Sequence, residues 1–380
     1  MAGTMTWEQL RELAAFRAEK GCALSLYVDL DPRDLPTPPD VETKVHSVLD
    51  AAERQLDERK SQMARDRREG VKDDLRRVAG WFDDEFDRQG VRGVALFAAA
   101  LDNFWSVVTV PEPVVDDVHI GQELYLAPLA RLAGGRADGL VAFVGRERGQ
   151  VWRLRNGQLH DLADRTTEAP NQHSQGGWSQ ARYERSVEHA VGQHLRDVAD
   201  TLDGCVRKLR STRVVLIGTE EIRGDFESVL SNEVLGSLAG WTSAEAHADT
   251  PQVLEAAKPV LDEWWAAREG ELLDRWRQEA ATSGRATSGW QHTLEAASDG
   301  RVELLLVQDG VDKRAYQCPQ CGRSQMTDGA CPLDGTAMEE RDGGLDLALH
   351  QTLAHGGTVH VVSDRDDLGP VGGLGALLRF

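Results

Sequence analysis

VELLLVQDGVDKRAYQCPQCGRSQMTDGACPLD, residues 302–334, decides how the chain is read. Its first six residues have the length and the apolar content of a buried strand. Two short turns of one design follow. Cys318-Pro-Gln-Cys321 is a CxxC turn, and nine residues later Cys331-Pro-Leu-Asp334 repeats it with Asp in the fourth place. Zinc favours four ligands in a tetrahedron and accepts thiolate, imidazole and carboxylate; two turns that each offer two ligands are how zinc ribbons are built. Gly322 and Gly335 directly follow the second ligand of each turn, where the backbone must bend sharply. A structural Zn2+ on Cys318, Cys321, Cys331 and Asp334 is therefore expected, with His350 and His355 as other candidates for the fourth position. A full protein ligand set leaves no open position for catalysis. A redox CxxC is the rival reading, and the paired Cys331 weakens it.

Around this insert (314–341) the elements alternate. A helix is expected near 290–298 and another near 345–354, with strands at 302–307 and at TVHVV (358–362), and the quoted sequence closes with GPVGGLGALLRF. That alternation reads as an α/β domain over 284–380, after a Gly/Ser-rich joint at 284–289. Upstream, LVAFVG (140–145) opens a central domain, 136–283. GQVWRLR and QLHDL follow, joined by Asn156-Gly157, a strong hairpin signal. A long helix is expected from Ser179, because Val187, Val191, Leu195, Val198, Leu202, Val206 and Leu209 recur in steps of three and four. RVVLIG (213–218) reads as a buried strand. The stretch 251–281 reads as another long helix or helix pair, with Trp264, Trp265 and Trp276 as packing residues.

The first domain, 1–135, contains the strand ALSLYVDL (23–30). A charged helical stretch, 40–88, follows, with Val45, Val48, Leu49, Ala52 and Leu56 at helical spacing. It is one long helix, or a hairpin broken near Gly70. VRGVALFAAA (91–100) and FWSVVTV (104–110) read as adjacent strands.

The totals exclude several classes. At roughly 100–200 residues per domain, 380 residues suggest two to four domains. No apolar run approaches the ~20 residues that cross a bilayer, and the start of the chain has acids and no apolar signal segment, so a cytoplasmic protein without membrane contact is expected. The net charge of −20 argues against a general nucleic-acid coater, since such proteins release phosphate counterions with Lys and Arg. Any RNA contact must come from a local basic patch. Cys22 and Cys205 read as inert buried thiols, and the clustering of the other three does not suit a disulfide framework. P-loop, HExxH and GxSxG patterns are absent.

His173-Ser-Gln-Gly-Gly-Trp-Ser-Gln-Ala-Arg-Tyr-Glu-Arg185 sets two glycines before the long helix, whose N-cap is expected to be Ser179. Helix N-termini attract anions, and Arg182 and Arg185 add positive charge. Arg146, Arg148, Arg153 and Arg155 decorate the neighbouring hairpin, so the basic patch is expected here.

These features together resemble the archaeo-eukaryotic release factor and Pelota superfamily, in its bacterial branch of Vms1-like release factors and Balon-type hibernation factors. The resemblance rests on the Gly-Gly loop before the long helix, on VELLLV, the Cys-rich insert, GGTVHVVSD and GGLGALLRF in that order. It implies an α/β multidomain fold of three domains, the middle one ribonuclease-H-like and the last an α/β/α sandwich with an inserted zinc knuckle. It further implies a tRNA-mimicking factor in the ribosomal A site, touching rRNA of both subunits. The central domain would face the peptidyl-transferase centre through Gly176, Gly177, Trp178, Ser179 and Arg185. The last domain would face elongation factor Tu or another translational GTPase.

Release factors of this group carry Gly-Gly-Gln, whose Gln positions water on the peptidyl-tRNA ester. Here Gly176-Gly177 is followed by Trp178-Ser179-Gln180, so the Gln is displaced by two residues. Gln180 and Arg182 would be the catalytic pair if the protein is a peptidyl-tRNA hydrolase. The Asn-Ile-Lys-Ser codon-reading element is absent. Occupation of idle or stalled ribosomes is thus expected first, hydrolysis of peptidyl-tRNA second, and a non-ribosomal RNA or protein interaction module third.

Overall fold

The computed structural model describes residues 5, 7–61, 63–110, 112–132, 139–155, 157–167, 180–209, 212–282, 284–363 and 365–380. The chain divides into two compact units, one of Met1–Gly135 with Leu272–Phe380 and one of Arg136–Glu271. No helix among the described residues is long and apolar enough to cross a membrane.

The N-terminal part of the first unit holds α1 (Trp7–Ala14), β1 (Ala23–Asp29), α2 (Pro38–Glu58), α3 (Arg65–Asp84), β2 (Gly93–Ala99), β3 (Phe104–Val110), β4 (Asp117–Gly121) and α4 (Ala127–Ala130). The sheet is antiparallel, in the order β3-β2-β1-β4. β1 is mostly apolar because both of its faces are buried; its buried Ser25 accepts N–H from Tyr125 (2.9 Å), and Asp29 stands at its partly exposed end. Leu24, Leu26 and Val28 pack with Val45, Val48 and Val78 of α2 and α3, while Ala23 and Tyr27 turn to a second core. The helical stretch is a hairpin, but its break lies at 59–64 and not near Gly70. Gly70 is buried inside α3, where a Cβ would stand 3.0 Å from Leu101 Cγ. The glycine admits the Leu101 side chain against the helix; it does not end the helix.

The second unit holds β5 (Gly139–Val144), β6 (Gly149–Arg155), β7 (Gln158–Asp164), α5 (Gln180–Leu209), β8 (Arg213–Ile217), α6 (Glu220–Glu227), α7 (Asn232–Ser237), β9 (Leu238–Thr242) and most of α8 (Thr250–Thr282). Its sheet runs β7-β6-β5-β8-β9, with β5–β6–β7 an antiparallel meander and β8 and β9 parallel to β5. This is the ribonuclease-H-like arrangement. Gly157 takes φ +72° in the β6–β7 turn, the left-handed conformation that Asn-Gly turns supply. Leu195, Val198, Leu202 and Val206 of α5 cover one face of the sheet, and Val253, Ala257 and Leu261 of α8 the other. Gly218 lies where β8 leaves the sheet, and a Cβ there would stand 2.4 Å from Val144 O. Gly218→Ala should therefore force β5 and β8 apart and destabilise the unit by about 1–3 kcal/mol, read as a lower urea midpoint.

The C-terminal part of the first unit holds β10 (Ala286–Ser288), α9 (Trp290–Ser298), β11 (Val302–Gln308), β12 (Ala315–Gln317), β13 (Ser324–Gln325), β14 (Glu339–Arg341), α10 (Gly344–Ala354), β15 (Thr358–Val362) and β16 (Leu374–Leu378). The sheet order is β10-β16-β11-β15, with β11 and β15 parallel. Leu305 and Val307 face α9 and α10, while Leu306 faces Leu273 and Trp276 at the end of α8. The result is an α/β/α sandwich, and the insert forms its own sheet, β13-β12-β14.

The N- and C-terminal parts share one core, in which Tyr27 and Phe97 belong to the same cluster as Leu294 and Leu349. Asp346 and His350, both buried on α10, fasten it. Asp346 Oδ1 accepts N–H from Leu126 (2.7 Å) and Ala127 (3.2 Å). His350 Nε2 lies 2.7 Å from Leu124 O, and Nδ1 lies 3.2 Å from Ala14 O at the end of α1.

Candidate functional site

The two turns of the insert close alike. Gly322 N donates to Cys318 O and Gly335 N to Cys331 O, each at 2.9 Å, and the glycines take φ +78° and +74°. Cys318 N donates to Arg323 O at 2.8 Å and Cys331 N to Thr336 O at 2.7 Å. Each turn thus points its two side chains inward, and the four donor atoms of Cys318, Cys321, Cys331 and Asp334 lie within 4.8 Å of one another. Cys321 Sγ is 3.5 Å from Cys331 Sγ, and Cys318 Sγ is 3.4 and 3.6 Å from the oxygens of Asp334. Cys318 and Cys331 are buried, whereas Cys321 and Asp334 are exposed.

The amide of Thr336 first, and then its hydroxyl, hold the Asp334 carboxyl well below the usual carboxylate range. It therefore stays an anionic donor at neutral pH. Three sulfurs and one carboxylate at this spacing form a group able to hold a metal ion. Neither histidine alternative joins it. His350 is committed to Ala14 O and Leu124 O, and His355 Nδ1 lies 2.8 Å from Gln351 O. The knuckle is tied to the sandwich by Ser324 N to Ser298 Oγ (2.9 Å), Met326 N to Gln291 Oε1 (3.0 Å) and Gln351 Nε2 to Gly322 O (2.9 Å).

Cys22 and Cys205 are half-buried, and burial raises both thiol pKa values. That suits inert packing residues.

In the second unit, Gly176, Gly177, Trp178 and Ser179 lie outside the described residues, as do the side chains of Gln180 and Arg182. The described backbone resumes at Gln180, the first residue of α5. Arg182 is therefore in the first turn, and Arg185 is exposed. From Arg185 to Ala190 every residue except Val187 is exposed, and full burial begins at His194. The start of α5 stands clear of the core that holds its remainder.

The arginines of the hairpin do not form one open patch. Arg146 is exposed, and Arg153 and Arg155 are half-buried. Arg148 turns inward: its guanidinium donates to Ala246 O (3.0 Å) and Ala248 O (2.8 Å) and stacks 4.1 Å from the Phe143 ring centroid. It fastens the segment after β9 and is not a free cation. It also borders a cleft of about 760 Å³ at the carboxyl ends of β5 and β8, with Thr167, Thr219 and His247. Such ends are where open α/β sheets place crevices. Sequence reasoning missed the cleft because its walls come from four separate connections.

Comparison with known proteins finds matches along most of the chain. Residues 125–261 match the model of Bacterial archaeo-eukaryotic release factor family 10, and residues 266–380 match that of eRF1 domain 3. The chain is 27% identical over 319 residues to peptide chain release factor subunit 1 of Archaeoglobus fulgidus, covering 76% of this chain and 77% of that protein. Its counterpart in Thermococcus onnurineus is 24% identical over 333 residues, covering 76% and 79%. Among solved structures, a model of ribosome-bound archaeal Pelota and ABCE1 aligns over 100% of this chain and 95% of that one, at 14% identity and a TM-score of 0.44. With a central match to the bacterial family and a C-terminal match to the third release-factor domain, the chain belongs to the archaeo-eukaryotic release factor and Pelota superfamily.

Proposed function

We propose that this protein is a tRNA-mimicking factor that occupies the A site of idle or stalled ribosomes, in hibernation or rescue. The observation that carries the reading is the start of α5. Gln180 is a helical residue, two positions beyond the place that an intact Gly-Gly-Gln would give it, and the following turns stand clear of the core. Positioning a water molecule requires the amide within about 3 Å of the reacting atoms, and a misplacement near 1 Å can cost ~100-fold. A glutamine bound to helical spacing meets that demand poorly, so binding takes precedence over hydrolysis. Gly176, Gly177, Trp178, Ser179 and Arg185 would face the peptidyl-transferase centre. The C-terminal sandwich would face a translational GTPase such as elongation factor Tu.

Hydrolysis of peptidyl-tRNA by Gln180 and Arg182 is the second reading, favoured by the presence of a glutamine and an arginine on one helical turn. One assay separates the two. Gln180→Ala should leave co-sedimentation with ribosomes unchanged, and the wild type should release no peptide from ribosomes bearing peptidyl-tRNA above background. Release that disappears in Gln180→Ala would make the protein an enzyme. Failure to co-sediment at low and moderate salt would defeat both readings.

The group Cys318, Cys321, Cys331 and Asp334 is read as a site for a structural Zn2+. Zinc bonds of about 2.0–2.3 Å to oxygen and sulfur set tetrahedral neighbours roughly 3.3–3.8 Å apart. The sulfur–sulfur distance of 3.5 Å and the sulfur–oxygen distances of 3.4 and 3.6 Å support that fit.

A further inference from the structure

We infer that Cys321 and Cys331 form an oxidisable dithiol, through which a peroxide expels the metal and frees the knuckle from the sandwich. The inference rests on the zinc reading for the expulsion, and on geometry alone for the cross-link. Cys321 is the exposed cysteine of the group, while Cys318 and Cys331 are 1% and 3% exposed. A peroxide molecule therefore reaches Cys321 first. Its sulfur already touches that of Cys331, at 3.5 Å, across the two turns. The fourth donor is a carboxylate on the surface, Asp334, so a site that loses two thiolates keeps one buried sulfur and one solvated oxygen.

The chemistry balances with hydrogen peroxide as oxidant. The Cys321 thiolate attacks one peroxide oxygen, the O–O bond breaks, and hydroxide leaves, giving a sulfenic acid on Cys321. The Cys331 thiolate then attacks that sulfur, the S–S bond forms, and a second hydroxide leaves. Two thiolates are oxidised by two electrons in all, the peroxide is reduced, and each hydroxide takes a proton from solvent to become water. The metal ion departs with two of its four donors gone.

The consequence lies in the ties of the first turn. Gly322 O accepts from Gln351 on α10, and Ser324 N donates to Ser298 on α9. Loss of the zinc that closes this turn would release both ties.

The test uses the full chain, as wild type and with Cys22→Ser and Cys205→Ser combined to remove the other thiols. Bound zinc is counted first, then again after hydrogen peroxide, with a chromogenic chelator in solution. Tryptic peptides are mapped after blocking free thiols. Cleavage after Arg323 separates Cys318 and Cys321 (315–323) from Cys331 (324–341), so a Cys321–Cys331 bond joins two peptides and a Cys318–Cys321 bond stays within one. The expected result is complete loss of zinc, a cross-linked pair assigned to Cys321 by fragmentation, and recovery of both states by dithiothreitol with zinc. Zinc retained under excess peroxide, or a bond confined to 315–323, overturns the inference. A chain purified without zinc counts against the zinc reading, while the peptide map still decides the cross-link.

Discussion

Replacing His350 by leucine is expected to cost the fold about 3–5 kcal/mol, the loss typical when one partner of a buried ion pair is removed. The reason lies in the acceptors around the ring. Both imidazole nitrogens face carbonyl oxygens, Leu124 O and Ala14 O, so both must carry a proton to donate. Burial alone would discharge the imidazole. Asp346 at 3.4 Å, then Glu123 and the two carbonyls, more than offset it, and the pKa of His350 is raised. Burial raises the Asp346 carboxyl as well, but its Oδ1 already accepts two amide N–H groups, which leaves the shared proton on the imidazole. Leucine would leave a buried carboxylate uncompensated and two carbonyls without donors, at the point where the N- and C-terminal parts share their core. The pH dependence has a definite sign. A histidine whose folded pKa is raised stabilises fully below its unfolded value of about 6.5, and that stabilisation fades as pH rises through the folded pKa. The wild-type urea midpoint should therefore fall as pH rises above about 6.5, and that fall should be absent from the double variant His350→Leu with Asp346→Asn, which removes both groups of the pair. The other titratable groups facing this pair are Tyr27, His119, Glu123, Tyr125 and Asp312, which stay in place in both proteins. A gap between midpoints that does not change with pH would sink the ion-pair account.

Sequence pattern made most of the long elements visible, for physical reasons that can be named. The stripe Leu195, Val198, Leu202 and Val206 is visible because one face of α5 is buried from His194 onward. β1 and β11 are visible because apolar runs of strand length between turn residues have few other readings. The segment 220–242 shows no such pattern. α6 and α7 have eight and six residues, too few turns to show a period, and β9 (LAGWT) is half-buried with a glycine in it. Gly70 misled because a glycine that makes room for Leu101 looks, in sequence, like one that ends a helix. The shared core of the N- and C-terminal parts was illegible for another reason. Asp346 and Leu126 are 220 residues apart, and no local pattern announces the pairing. At the knuckle the spacing carried the whole donor set. At the Gly-Gly loop it carried the position of Gln180, but the inward turn of Arg148 depends on carbonyls about a hundred residues away.

Removing the proposed zinc, by chelation or by Cys331→Ser, is expected to melt the knuckle over 314–341 and leave the sandwich around it folded. The knuckle has almost no core of its own. Its buried cluster is Cys318, Cys331 and Met338 with Tyr316 packed beside it, and two of those residues belong to the proposed zinc site. Its strands are three, two and three residues long. Burying Met338 contributes about 1.5–3 kcal/mol. Ordering the backbone costs about 1–2 kcal/mol for each residue, and the segment is far too long for one side chain to offset that. A structural zinc contributes apparent binding energies of about 10–16 kcal/mol in small zinc domains, which is the right scale to close the difference. The sandwich core, with Leu305, Leu349 and Ala376, is a separate cluster and does not include the four residues of the proposed zinc site. Hydrogen exchange should therefore show the amides of Cys318, Gly322, Cys331 and Gly335 losing protection by about 100-fold or more without metal, while those of β11 and β16 change little. Knuckle amides that stay protected in metal-free protein would show that hydrogen bonds to Ser298, Gln291 and Gln351 suffice to hold it. Uniform loss of protection through β11 and β16 would instead make the metal a support of the whole C-terminal sandwich, because β11 leads directly into the knuckle and α10 leads directly out of it.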